Sequence, residues 1–135
     1  MKRKIISVTL ILLLVLSSTA MAFAEGQTRD TNLVNYSIDR TSRTTAVATV
    51  NVMFSDYVDE YSVIIYLQKK VDGQWTSDVM NPDYAFYNSG TGQIRFAFNH
   101  IYSNLEAGEI YRLKCVSRDY IDNQLYVFTT YSNQF

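Results

Sequence analysis

TTAVATVNVMF, residues 44–54, decides the fold class. Ala46, Ala48, Val50, Val52 and Phe54 fall on one side of an extended chain. Thr45, Val47, Thr49, Asn51 and Met53 fall on the other. A period of two built from β-branched and aromatic residues marks a strand with one buried face. A helix would space its apolar residues three and four apart instead, and no long window of this chain does so.

The same alternation recurs outward from that stretch. Val63, Ile65 and Leu67 alternate with Ser62, Ile64, Tyr66 and Gln68. Ile94, Phe96 and Phe98 alternate with Gln93, Arg95, Ala97 and Asn99, and Tyr111, Leu113 and Cys115 with Arg112, Lys114 and Val116. Turn residues punctuate the runs. Asp72-Gly73 and Asp122-Asn123 mark hairpins, and residues 88–92 and 104–108 read as loops. The pattern predicts strands near 33–38, 44–54, 61–70, 74–79, 92–99, 110–119 and 124–131. An all-β, seven-stranded antiparallel sandwich of two sheets follows. A small barrel is the second choice. An outer-membrane barrel, suggested only by the terminal Phe135, would need tall apolar outer faces on its strands.

The chain has 135 residues, and its first 24 read as a secretory signal. Lys2, Arg3 and Lys4 form a basic start, Ile5 to Leu16 an apolar run, and Ala22-Phe23-Ala24 a small-residue cleavage site. The apolar run is too short to span a bilayer, which takes about 20 residues. Residues 25–135 are then one domain, expected to be secreted and extracellular, with no membrane contact after cleavage. Removing Lys2, Arg3 and Lys4 leaves nine cations against 13 acids, a formal −4. An acidic surface with scattered cations disfavours nucleic acid and anionic lipid. Asn35-Tyr36-Ser37 matches a glycosylation sequon by chance composition.

LEAGEIYRL, residues 105–113, sharpens the architecture. Its Leu105, Gly108 and Tyr111 resemble the tyrosine corner at a strand entry of immunoglobulin-like and fibronectin type III domains. There the Tyr hydroxyl caps a nearby backbone group while its ring joins the core. The antibody pattern places a Cys two residues after that Tyr. Here Leu113 stands there, and the sole Cys is Cys115, so no inter-sheet disulfide is implied. The layout also resembles small secreted immunoglobulin-like proteins of Gram-positive bacteria, of unassigned function. A signal is followed by a sandwich, a Leu67-Gln-Lys-Lys to Gly73-Gln-Trp75 hairpin and a Tyr131-Ser-Asn133 ending.

Residues capable of catalysis are few. His100, the one histidine, is expected at an exposed turn, and Cys115 as an inert thiol on an inward face. Asp56, Asp59 and Glu60, like Asp119, Asp122 and Asn123, read as solvated turn residues without calcium-loop spacing. One His and one Cys make a poor zinc site. No metal, cofactor or catalytic residue is expected.

Aromatic content is the compositional oddity, with 11 Tyr in the chain. Tyr supplies stiff apolar area with a polar tip, which suits recognition surfaces. A two-residue turn at Asp122-Asn123 pairs Ile121 with Gln124 and Arg118 with Val127, turning Tyr120, Leu125 and Val127 outward beside Val116 and Arg118. With Ile64 and Tyr66 these form an unusually apolar outer face. Trp75 depends on register. A two-residue Asp72-Gly73 turn pairs Lys70 with Trp75 and adds Trp75 to the outer face. A three-residue Val71-Asp72-Gly73 loop pairs Lys69 with Trp75 and turns the indole to the core side, and that is the favoured register. The expected function is a non-catalytic interaction module, self-association included, that binds a protein or cell-surface partner through this Tyr-rich sheet face. The alternatives are a binder of cell-surface glycan and, further off, a small secreted enzyme or toxin.

Overall fold

The computed structural model describes residues 32–135, and the expected signal at 1–24 lies outside the described residues. Six strands and no helix form among the described residues: β1 (Leu33–Arg40), β2 (Ala46–Val71), β3 (Gln74–Ser77), β4 (Ala85–Tyr102), β5 (Tyr111–Ile121) and β6 (Gln124–Tyr131). All pairings are antiparallel.

Two of the strands serve both layers. Residues 46–53 of β2 pair with β1 on one side and with residues 95–102 of β4 on the other. The β2–β4 register shifts between Met53 and Val58. Beyond the shift, residues 60–69 of β2 pair with β5, which in turn pairs with β6. On its other side, residues 58–66 face the first half of β4, and residues 68–71 face β3. Eight strand segments therefore build a two-layer, sandwich-like body.

The alternation in residues 44–54 places its apolar side as read. Ala46, Ala48, Val50 and Val52 are fully buried, as are Val63, Ile65 and Leu113. Burying a Val, Leu or Ile side chain contributes about 1.5–3 kcal/mol, so these rows hold the layers together.

Four expectations need correction. The pattern predicts seven separate strands, but the stretches 44–54 and 61–70 run on as one strand, β2, because the chain stays extended through the register shift between Met53 and Val58. Residues 88–92, read as a loop from their Asn, Ser and Gly content, belong to β4, and residues 88–91 pair with residues 60–63 of β2. Gly90 lies under the Tyr61 ring, where a side chain would collide. Small residues here serve close approach, which composition alone cannot tell from a turn. The predicted strand 74–79 stops at Ser77. The favoured core-side register for Trp75 is overturned: Val71 pairs with Gln74 and Lys70 with Trp75 across a two-residue turn. Asp72 and Gly73 take φ of 49° and 79°, the left-handed pair that matches strand twist in tight hairpins. Asp122 and Asn123 do likewise, with φ of 49° and 63°, and Ile121 pairs with Gln124 as the sequence predicts.

At the Leu105–Tyr111 entry the Tyr hydroxyl reaches back to the backbone five residues upstream. The Glu106 amide donates to Tyr111 Oη at 2.8 Å, and Leu105 and the Tyr111 ring are buried. Gly108 sits at φ 83°, where a residue with a Cβ would be strained. Tyr111→Phe keeps the ring and strips the acceptor from that amide. The expected cost is about 1 kcal/mol. Guanidinium unfolding checks it, and an unchanged midpoint would show that the hydroxyl contributes nothing.

Candidate functional site

The second sheet, made of β6, β5, residues 58–71 of β2, β3 and the first half of β4, turns one face to solvent. Side chains of directly opposed residues share a face, so the register lays that surface out row by row. Lys70 stands beside Trp75, and Gln68 beside Arg112 and Ser77. Tyr66, Lys114 and Tyr131 form the next row, followed by Tyr87, Ile64, Val116 and Thr129. Ser62, Arg118 and Val127 follow, and Glu60, Tyr120 and Leu125 close the series. All eight residues expected to form a binding face (Ile64, Tyr66, Trp75, Val116, Arg118, Tyr120, Leu125, Val127) lie in these rows.

The face has two chemically different halves. At the Trp75 end, cations interleave with rings. The Arg112 guanidinium lies 4.2 Å from the Trp75 ring centre and 4.1 Å from that of Tyr131. Its Nε donates to Gln68 Oε1 at 2.8 Å, and Gln68 Nε2 donates to Ser77 Oγ at 3.0 Å. Lys70 lies 5.7 Å from the Trp75 ring centre, and Lys114 5.9 Å from that of Tyr66. Such contacts contribute about 0.5–1 kcal/mol each at exposed sites and hold the side chains in place. At the hairpin end exposed apolar side chains gather around Arg118, with Glu60 at the margin. Val127 is 53% exposed, Leu125 45% and Tyr120 40%, with Val116 half-buried among them.

The outer face of the other sheet is organised differently. Leu33 and Met53 sit at one end and Val47 and Ile101 at the other, with Asn35, Ser37, Thr49, Asn51 and Asn99 between them. Its apolar residues form two cross-strand pairs at opposite ends, Leu33 with Met53 and Val47 with Ile101, whereas those of the second sheet gather at one end. A contiguous exposed apolar patch is the kind that marks a contact surface.

The residues considered for chemistry fall elsewhere. His100 is not at a turn. It lies inside β4, its ring stacked on Phe98 at 5.8 Å and meeting Tyr102 edge-on at 4.7 Å. The strand runs two residues past it, so position 100 takes the same side as Phe98. Cys115 is buried, and burial pushes its thiol up from 9.0 to about 12, which disfavours the reactive thiolate further.

Asp119 corrects the reading of a solvated turn acid. It continues the inward row of β5 and is fully buried. Asn32 Nδ2 donates to Asp119 Oδ2 at 2.7 Å and to Ser117 Oγ at 3.0 Å. Alternation through Tyr111, Leu113 and Cys115 already put position 119 inside, but turn composition outweighed it. Asp59 and Asp122 are exposed, and Asp59 Oδ2 accepts the Asp122 amide at 3.0 Å across the end of the sheet. Among the described residues, no group of three or more His, Cys, Asp or Glu gathers closely enough to hold a metal ion.

Comparison with protein-family models, with curated proteins and with solved structures finds no match for this chain. The functional reading therefore rests on the geometry of this face.

Proposed function

We propose that the chain is an exported, non-catalytic interaction module of immunoglobulin-like topology. It docks a partner protein on the outer face of the second sheet. The observation that carries the reading is the group of apolar side chains at the hairpin end of that face, Val116, Val127, Leu125 and Tyr120, gathered around Arg118. A strand-built outer face suits a protein surface better than a small molecule, which needs a concave site.

The strand layout supports the topology. On this reading β1 and residues 46–53 and 95–102 correspond to strands A, B and E of an immunoglobulin-like domain. Residues 58–71, β5 and β6 then correspond to C, F and G, with Tyr111 as the corner at the entry to β5. The first half of β4 departs from the constant-type pattern by pairing with residues 58–66. The buried, protonated Cys115 and the ring-flanked His100 support the non-catalytic reading. The basic start and apolar run of residues 2–16 support export.

Selection of random displayed peptides on the mature protein tests the assignment. Binders should lose affinity for Val127→Asp and keep it for Ala97→Asp, on the outer face of the other sheet. Binders indifferent to Val127→Asp, or no binders at all, would overturn the docking face.

A further inference from the structure

The cations of residues 32–135 are unevenly placed. Leaving out Lys2, Arg3, Lys4 and Arg29, and Glu25 and Asp30, this stretch holds eight Lys and Arg against 11 Asp and Glu. Half of the eight, Lys70, Arg112, Lys114 and Arg118, stand in the rows of one sheet face, where Glu60 is the only acid. Among the described residues none of the four makes an ion pair; the ion pair present, Lys69 with Glu106, lies elsewhere. An acidic body thus presents one face on which four cations stand against one acid.

Arg112 is the best prepared of the four. Two rings clamp the guanidinium and Gln68 fixes its Nε, while its two Nη groups have no partner among the described residues. A planar fork held in this way meets a carboxylate bidentately with little further ordering cost. Arg112, Lys114 and Arg118 lie along β5 on one face, so the first two are spaced by about 7 Å. Side chains on one face of an extended peptide repeat at that same spacing.

We propose that the partner presents an extended segment carrying both acidic and apolar side chains. Its carboxylates meet Arg112, Lys114 and Arg118, and its apolar side chains cover Val116, Val127 and Leu125. This rests on the docking face proposed above and specifies its occupant. Charge complementarity selects an anionic ligand, and the apolar half selects a polypeptide. An acidic polysaccharide would satisfy the cations but has no side chains to bury on Val127 and Leu125. A long polyanion would also meet the acidic remainder of the body.

The test uses the peptides recovered by the selection, synthesised and titrated by fluorescence anisotropy against the mature protein. The expected sequences are rich in Asp, Glu and apolar residues. Their affinity should fall about tenfold with Arg112→Gln and decline as salt is raised. Arg112→Lys keeps the charge without the fork and should fall between wild type and Arg112→Gln. Lys114→Gln, which leaves the ring clamp intact, should weaken binding in the same direction. Arg95→Gln, on the other sheet, should leave it unchanged. Each variant is first matched to wild type by circular dichroism and thermal melting.

Peptides that are sensitive to Val127→Asp but neutral in composition and indifferent to Arg112→Gln and Lys114→Gln would overturn the acidic segment while leaving the docking face. Indifference to Val127→Asp as well would remove both. Oligogalacturonate binding more tightly than the peptides, with sensitivity to Arg112→Gln but not to Val127→Asp, would overturn the proposal in favour of a glycan.

Discussion

Gly90→Val should destabilise the protein by about 2–3 kcal/mol, although valine is a far better strand former than glycine. A Cβ at position 90 would lie 2.8 Å from Tyr61 Cε1 and 2.9 Å from its Oη. The colliding atoms belong to the far end of a side chain, which elsewhere could swing aside. Here the ring is buried, packed on Phe54 at 5.2 Å and Phe96 at 6.2 Å between ring centres. Its hydroxyl donates to Asn88 Oδ1 at 3.0 Å. Moving the ring gives up those contacts, and leaving it in place forces β4 away from β2. A double-mutant cycle isolates the cause. In a Tyr61→Ala background the collision is gone, and Gly90→Val should cost little or even stabilise. The coupling between the two sites should exceed about 1 kcal/mol in guanidinium unfolding. Equal costs in both backgrounds would return Gly90 to the open loop that its Asn-Ser-Gly surroundings suggest.

Gly90 also shows which parts of the structure were legible in the sequence. Where one residue type has one physical consequence, the reading held. Ala46 to Val52 and Tyr111 to Cys115 put their odd or even positions inside because one face must be apolar. The outer face of the second sheet followed from the same alternation once the Asp122-Asn123 turn set the register. Where a residue type has two uses, the sequence left the choice to tertiary structure. Glycine serves both turns and close approach, and Gly90 carries the second use. Asp-Gly fits both a two-residue turn and a longer bulged loop, and the difference moved Trp75 from the core side to the outer face. Asp119 near a turn reads as solvated, but strand parity and the Asn32 amide bring it inside. The ring clamp on Arg112 was out of reach, because its members come from three strands: Trp75 from β3, Arg112 from β5 and Tyr131 from β6.

Alkali should unfold the protein well before it damages the chain. Burial raises the Cys115 thiol from 9.0 to about 12 and raises the Tyr102 phenol above its ordinary 10.0. Burial also raises Tyr36, outweighing the opposing hydrogen bond with Thr130. Each group keeps its proton in the folded chain at a pH where the unfolded chain has released it. Between the unfolded and folded pKa the unfolded state therefore binds fewer protons, and stability falls as pH rises. The contribution is complete below about pH 9 and is lost upward from there, at about 1.4 kcal/mol per pH unit for each titrating group. By pH 11, Cys115 and Tyr102, both almost fully buried, together remove about 4 kcal/mol. That is a large share of the roughly 5–15 kcal/mol that holds a small domain. The guanidinium midpoint should stay level from pH 7 to about 9 and then drop steeply. Cys115→Val, close in volume and without a titrating group, should soften the drop and begin it about one pH unit later, where the phenols alone act. Disulfide-exchange reagents give an independent reading. The thiol should react at pH 9 only as fast as the chain opens, and at the full rate once guanidinium has unfolded it. A midpoint that does not move between pH 9 and pH 11 would mean that Cys115 and Tyr102 reach water in the native state, and the inward row of β5 would have to be redrawn.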